Sequence, residues 1–231
     1  MKIISHNKKI KRNHRIGQIT TLISLLVLAV GLYMSFQPEL VSYSFLALVV
    51  GFVLSQVGIY YGSRYGRSPT EDEQITQALK GLDDRYTLYH YMSPVPHLLV
   101  GPAGVWAITP FFQRGTITYN EAKKRWHQKG GNLYLKIFAQ ESLGRPDVVV
   151  ESLKDDLTRT LKKQLGEQCP PVNVALVFTN PRADLQAANA PDPTLAIDKL
   201  KDLIRRKAKE APLALEMVQT VQDTLPKESI S

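Results

Sequence analysis

Two membrane-spanning helices followed by an α/β domain on a mixed sheet is the architecture this sequence predicts, and three observations predict it. From Ile16 to Ser63 the only charged residue is Glu39, in a Pro-Glu turn between the apolar runs ITTLISLLVLAVGLYMSF and LVSYSFLALVVGFVLSQVGIYYG. Each run meets the roughly 20 apolar residues a helix needs to cross a hydrocarbon core about 30 Å thick. After Ser63 the chain turns polar, and residues 71–231 are numerous enough for one domain with its own core. Within them the run VNVALVF, Val172–Phe178, has the β-branched composition of a strand buried in a sheet and lies between segments of helical periodicity.

The elements follow in order. Residues 1–15 form a basic cytoplasmic arm carrying Lys2, Lys8, Lys9, Lys11, Arg12 and Arg15. The spans occupy about 16–36 and 40–62 of the segment 16–63, and 64–70 are a linker. The loop between the spans has no Lys or Arg, whereas Arg64 and Arg67 follow the second span, so the positive-inside rule keeps both termini cytoplasmic and makes this a two-span protein of the cell membrane. A cleaved signal peptide fits the basic start but not the second span that follows at once. Of the net charge of +8, the arm holds +6, Glu39 gives −1 and the rest of the chain only +3. Basicity is therefore juxtamembrane, which points to anionic head groups of the inner leaflet as the arm's partner. No Asp, Glu, Lys, Arg or His lies inside either span, which argues against an ion or proton pathway. Gly58 and Gly62 stand at GxxxG spacing, a face for self-association or for packing the two helices of one hairpin together.

The domain is predicted over 71–210, with 211–231 a helical or flexible tail. A helix over about Thr70–Leu82 opens on Glu71, Asp72 and Glu73, an acidic first turn that suits the helix dipole. Strands are predicted at Tyr86–Tyr91, His97–Val100, Val105–Thr109, Gly115–Tyr119 and Asn132–Phe138, with Gly101–Gly104 as a tight hairpin turn and Gly130–Gly131 as another. Helices over Pro146–Leu165 and Thr194–Lys209 flank the strand Val172–Phe178.

The stretch HLLVGPAGVWAITPFFQRGTI resembles the nuclease-related domain (NERD) family, in which an "IDH" strand, a "VGP.GV" hairpin and a strand ending in an acidic-x-Lys pair are followed by a Gly about four residues later. The resemblance extends from about Glu71 to Arg206. It implies a restriction-endonuclease-like mixed-sheet fold of the PD-(D/E)XK nuclease type, whose chemistry needs carboxylates on adjacent strands to hold a divalent cation and a Lys beside the attacking water. Residue by residue that chemistry is missing. Pro96 stands where the resemblance implies the metal-binding Asp, leaving His97; Thr109 stands at the acidic position, Phe111 at the Lys position and Val149 at a Gln position of the following helix. Glu73, in the acidic helix start, is the one matching carboxylate. The expectation is a degenerate site with no catalytic residues, no metal and no cofactor.

Other constellations are weaker. Cys169 is a single thiol followed by Pro170 and Pro171. His90, His97 and His127 lie on separate strands without a metal-ligand spacing, so structural roles are expected. Lys123, Lys124, Arg125 and Trp126 combine charge with an aromatic ring and are candidates for contacting nucleic acid, weakly and without sequence preference; a strand edge guarded by Lys explains them as well. Two functions from different classes follow: a membrane-anchored, catalytically inactive binding or scaffolding module with a possible protein partner, or a membrane-bound metal-dependent nuclease with an altered site. The missing acidic and Lys positions favour the first.

Overall fold

The computed structural model describes residues 1–130 and 142–230, and these form two compact units. One unit is the hairpin Lys8–Glu71; the other joins Met1–Asn7 to the residues that follow Asp72.

In the hairpin, α1 (Asn7–Ser35) and α2 (Val41–Tyr61) are linked by a short 3-10 turn, Pro38–Leu40, and α2 ends in a π-helical turn, Gly62–Gly66. Both helices are long and apolar enough to cross a membrane. Their burial is inverted relative to a soluble protein. Leu22, Leu26, Phe45 and Leu46 are each more than 60% exposed, while beyond Asn13 the buried positions are small: Gly17, Ser24 and Gly31 on α1, Ser44, Gly51 and Gly58 on α2. These recur every seven residues, which keeps a small-residue seam facing the partner helix and lets the backbones approach. A Cβ on Gly58 would stand 2.5 Å from Thr21 Oγ1, and one on Gly51 2.7 Å from Leu28 Cγ. Gly58 is thus covered within its own hairpin, and of the pair Gly58 and Gly62 only Gly62 has open space beside it.

The other unit is a mixed six-stranded sheet with helices on both faces. Its strands are β1 (Lys2–Ser5), β2 (Thr87–His90), β3 (His97–Gly101), β4 (Gly104–Phe111), β7 (Val172–Phe178) and β9 (Thr194–Ala196), in that spatial order. The β1–β2, β4–β7 and β7–β9 pairs are parallel, and β2–β3–β4 is an antiparallel meander closed by the two-residue turn Pro102–Ala103. A second sheet has order β6-β5-β8, from β5 (Gly115–Asn120), β6 (Arg125–Lys129) and β8 (Ala183–Gln186). On one face of the main sheet, α4 (Pro146–Leu165) and α6 (Leu215–Asp223) bury Leu157, Leu161, Val218 and Val221 against Leu98, Val105, Ala107 and Leu176. On the other, α3 (Glu71–Ala78), Leu79 just beyond it, and α5 (Leu200–Glu210) bury Ile75, Leu79, Leu200 and Ile204 against Leu88, Leu99, Trp106 and Val177. Alternation along each strand divides the two cores.

Three expectations change. The first residues of the basic arm are an edge strand, not a free arm: Ile4 is 2% exposed opposite Tyr89, and the Met1 amino group donates to Leu82 O and Asp84 Oδ1. The rest of the arm is the start of α1. The helix expected from Thr194 begins at Leu200, because Thr194–Ala196 pair with Leu176–Phe178 and a 3-10 turn, Ile197–Lys199, intervenes. Arg125–Lys129 is a strand, while the expected strand Asn132–Phe138, and Gly131 of the expected turn, lie outside the described residues.

Candidate functional site

The β3–β4 register decides where the nuclease-like positions meet. The pairing stops at Leu98 with Ala107, so Pro96, exposed in the bend before β3, has no partner on β4, while Thr109 follows Ala107 on the α4 face by strand alternation. Phe111 is two residues further along the same face, and α4 starts against it with Pro146 and Val150. Thr109 and Phe111 therefore share one side of the sheet, yet neither offers a cation what it needs. Phe111 is 8% exposed and stacks on Phe178 with ring centroids 5.4 Å apart, filling the place of the expected Lys. Thr109 Oγ1 is buried without a hydrogen bond, Val149 faces solvent at 39% exposure, and Pro96 is exposed with its carbonyl accepting from Tyr91 N. Glu73 is exposed on α3, a helix that packs on the opposite face. A divalent cation of the nuclease type does not fit these residues: one hydroxyl cannot replace a carboxylate cage. Among the described residues no three His, Cys, Asp or Glu side chains gather as metal ligands.

Pro110 has a local reason. Beyond Ala107, β4 has lost β3 as a partner and pairs with β7 alone, so its missing N–H falls where a strand edge is open.

The polar chemistry of the main sheet lies on the other face. His90 and His97 are register partners across the β2–β3 hairpin, 1% and 0% exposed, with Nδ1 atoms 2.8 Å apart. One Nδ1 carries the shared proton and the other accepts it, so both rings cannot be protonated at once in this geometry. His90 Nε2 and Thr76 Oγ1 of α3 share a second hydrogen bond of 2.9 Å. Burial, reinforced by the adjacent His97 ring, pushes His90 well below the usual histidine range, with Asp72 pulling weakly the other way. Asp72 Oδ1 is itself buried and makes no hydrogen bond. Sequence spacing alone left this pair unseen, because only the register across Ser93–Pro96 brings the rings together.

In the second sheet, alternation separates the nucleic-acid candidates. Trp126 turns toward the core and tilts against Tyr119, its strand partner, at 5.3 Å, whereas Arg125, His127 and Lys129 point outward and are exposed. Lys123 and Lys124 sit in the β5–β6 turn, Lys124 with φ of 48°. Charge and aromatic ring thus share a strand but not a surface.

Cys169 is half-buried, and burial pushes its thiol up, the opposite of an activated nucleophile. A cleft of about 550 Å³ opens beside β9 and α5, lined by Pro191, Pro193, Asp202 and Arg206. Neither joins the positions above.

No family model, no curated protein and no solved structure matches the chain.

Proposed function

We propose that this chain is a membrane-anchored, catalytically inactive relative of the NERD nucleases, acting as a binding or scaffolding module on the cytoplasmic face of the cell membrane. The observation that carries it is Thr109 and Phe111 side by side on the α4 face of β4. They stand where the resemblance implies an acidic-x-Lys pair, with side chains that can neither hold a cation nor stabilise charge, and Phe111 is packed against Phe178.

The anchoring has support of its own. Residues before α1 and residues after α2 build one sheet, β1 beside β2, which supports a hairpin whose flanks share one side of the membrane. That reading takes an even number of crossings, and the excess of Lys and Arg at those flanks favours the cytoplasm for that side.

The test is cleavage by the purified full chain in lipid nanodiscs, on linear and plasmid DNA and on RNA with Mg²⁺ or Mn²⁺. No cleavage above a protein-free control is expected. Metal-dependent cutting that disappears in Glu73→Gln or His97→Gln would overturn the inactive reading and support a nuclease with an altered site.

A further inference from the structure

The outer face of the second sheet, away from the core, is basic. Strand alternation places Arg125, His127 and Lys129 in one outward row, about 7 Å apart. The register sets Asn120, Thr118 and Thr116 of β5 beside them, a polar row offering hydrogen bonds. Lys123 and Lys124 extend the row at the turn, and the acids nearby are Glu121 at the tip and Asp184 on β8, which accepts from Gln186. Arg85, Arg145, Lys154, Arg206, Lys207 and Lys227 are paired with carboxylates, whereas Lys123, Lys124, Arg125 and Lys129, like Lys162 and Lys163 of α4, form no ion pair among the described residues.

We propose that this basic sheet face lies against an anionic lipid surface, that of the leaflet in which the chain is anchored. The proposal rests on the anchored reading above. Charge complementarity points to an anionic partner, and among the described residues this face carries no aromatic, which points away from single-stranded nucleic acid, bound by stacking bases on exposed rings. Trp126 and Tyr119, the rings at hand, are turned inward against each other. Lys124 keeps its charge at a left-handed backbone position that Gly or Asn adopts more easily. Four cations are a weak grip for a domain free in solution, but the hairpin holds this one near the leaflet, where each basic residue strengthens association by about fivefold.

The experiment uses the full chain with Ala122→Cys in a Cys169→Ser background, a donor dye at the turn, and nanodiscs containing acceptor-labelled lipid. Energy transfer is compared between zwitterionic discs and discs rich in phosphatidylserine. The expected result is higher transfer in the anionic discs, the apposed state gaining on the order of a hundredfold, with the gain lost in high salt and in K123Q/K124Q/R125Q/K129Q. Equal transfer in both discs would overturn the proposal. So would an oligonucleotide that binds the zwitterionic discs, loses binding in the quadruple variant and leaves transfer unchanged by lipid charge, since the face would then serve nucleic acid. Retention in the discs through an alkaline carbonate wash is read separately. A chain that washes out contradicts the tethering and this surface with it; a retained chain whose transfer ignores lipid charge contradicts the surface alone.

Discussion

The hairpin and the domain obey opposite packing rules. In the domain large side chains are inside, Leu98, Leu99, Leu157 and Leu161 among them at 0% exposure, and charges are outside. In the hairpin the seam is glycine and serine while leucine and phenylalanine face outward. Apolar burial drives the first, since each buried leucine leaves water. It cannot drive the second in lipid, where tails are as apolar as leucine and close backbone approach supplies the attraction. The same substitution therefore has opposite consequences in the two units, which makes the contrast breakable.

The largest effect belongs to the domain core. Leu157→Ala should destabilise the sheet unit by about 3 kcal/mol, a transfer loss plus a cavity, read by thermal or denaturant unfolding followed at Trp106 and Trp126. Leu22→Ala, an outward position of α1, should leave the hairpin's packing unchanged. If the two alanines cost the same, the two-rule picture fails. Next comes Gly58→Leu, which makes α2 more apolar yet drives a side chain into Thr21; it should loosen the helix pair by about 2 kcal/mol. Crosslinking between cysteines placed on the two helices would report it, and undiminished crosslinking would show the seam is not a contact.

Acid should weaken the domain by a comparable amount. His90 is held neutral when folded and titrates near 6.5 when unfolded, so the unfolded state binds more protons below that value and stability falls as pH drops through it. By pH 5 the loss from His90 is about 2 kcal/mol. The domain unfolding curve should therefore move between pH 7 and 5, and His90→Gln should flatten that dependence. An unmoved curve would contradict the neutral buried pair. The smallest effect is local: Lys124→Gly should stabilise the domain by roughly 0.5 to 1 kcal/mol by relieving a positive φ.

What the sequence made legible follows the range of the interactions. The two long apolar helices could be read because they are uninterrupted apolar runs, and β4, β7 and α4 because periodicity is local. The β1 strand could not. KIIS is four residues in a basic stretch, and its partner, Thr87–His90, lies beyond both spans. The start of α5 was misplaced because Thr194–Ala196 continue a helical-looking pattern, and only pairing with β7 makes them extended. At the site, Pro96, Thr109 and Phe111 are visible as residue types without a carboxylate or an amine, but that Glu73 sits across the sheet from Thr109 and Phe111 depends on which face α3 covers. The basic cluster was half legible: a period of two along Arg125–Lys129 already separates Trp126 from its neighbours.

The β1–β2 pairing also constrains how the protein can be cut. A fragment starting at Arg64 lacks the strand that caps one edge of the sheet, so the full chain is the proper object for any assay. The central claim, a hairpin that crosses twice and returns to one sheet, is tested most directly by labelling single cysteines with a membrane-impermeant maleimide in sealed vesicles of known sidedness. Lys8→Cys, Gln37→Cys and Ala122→Cys are compared, each in a Cys169→Ser background. The account predicts that positions 8 and 122 label together from the cytoplasmic side and position 37 only from the other. Labelling of position 37 with the other two, or of positions 8 and 122 from opposite sides, would contradict it.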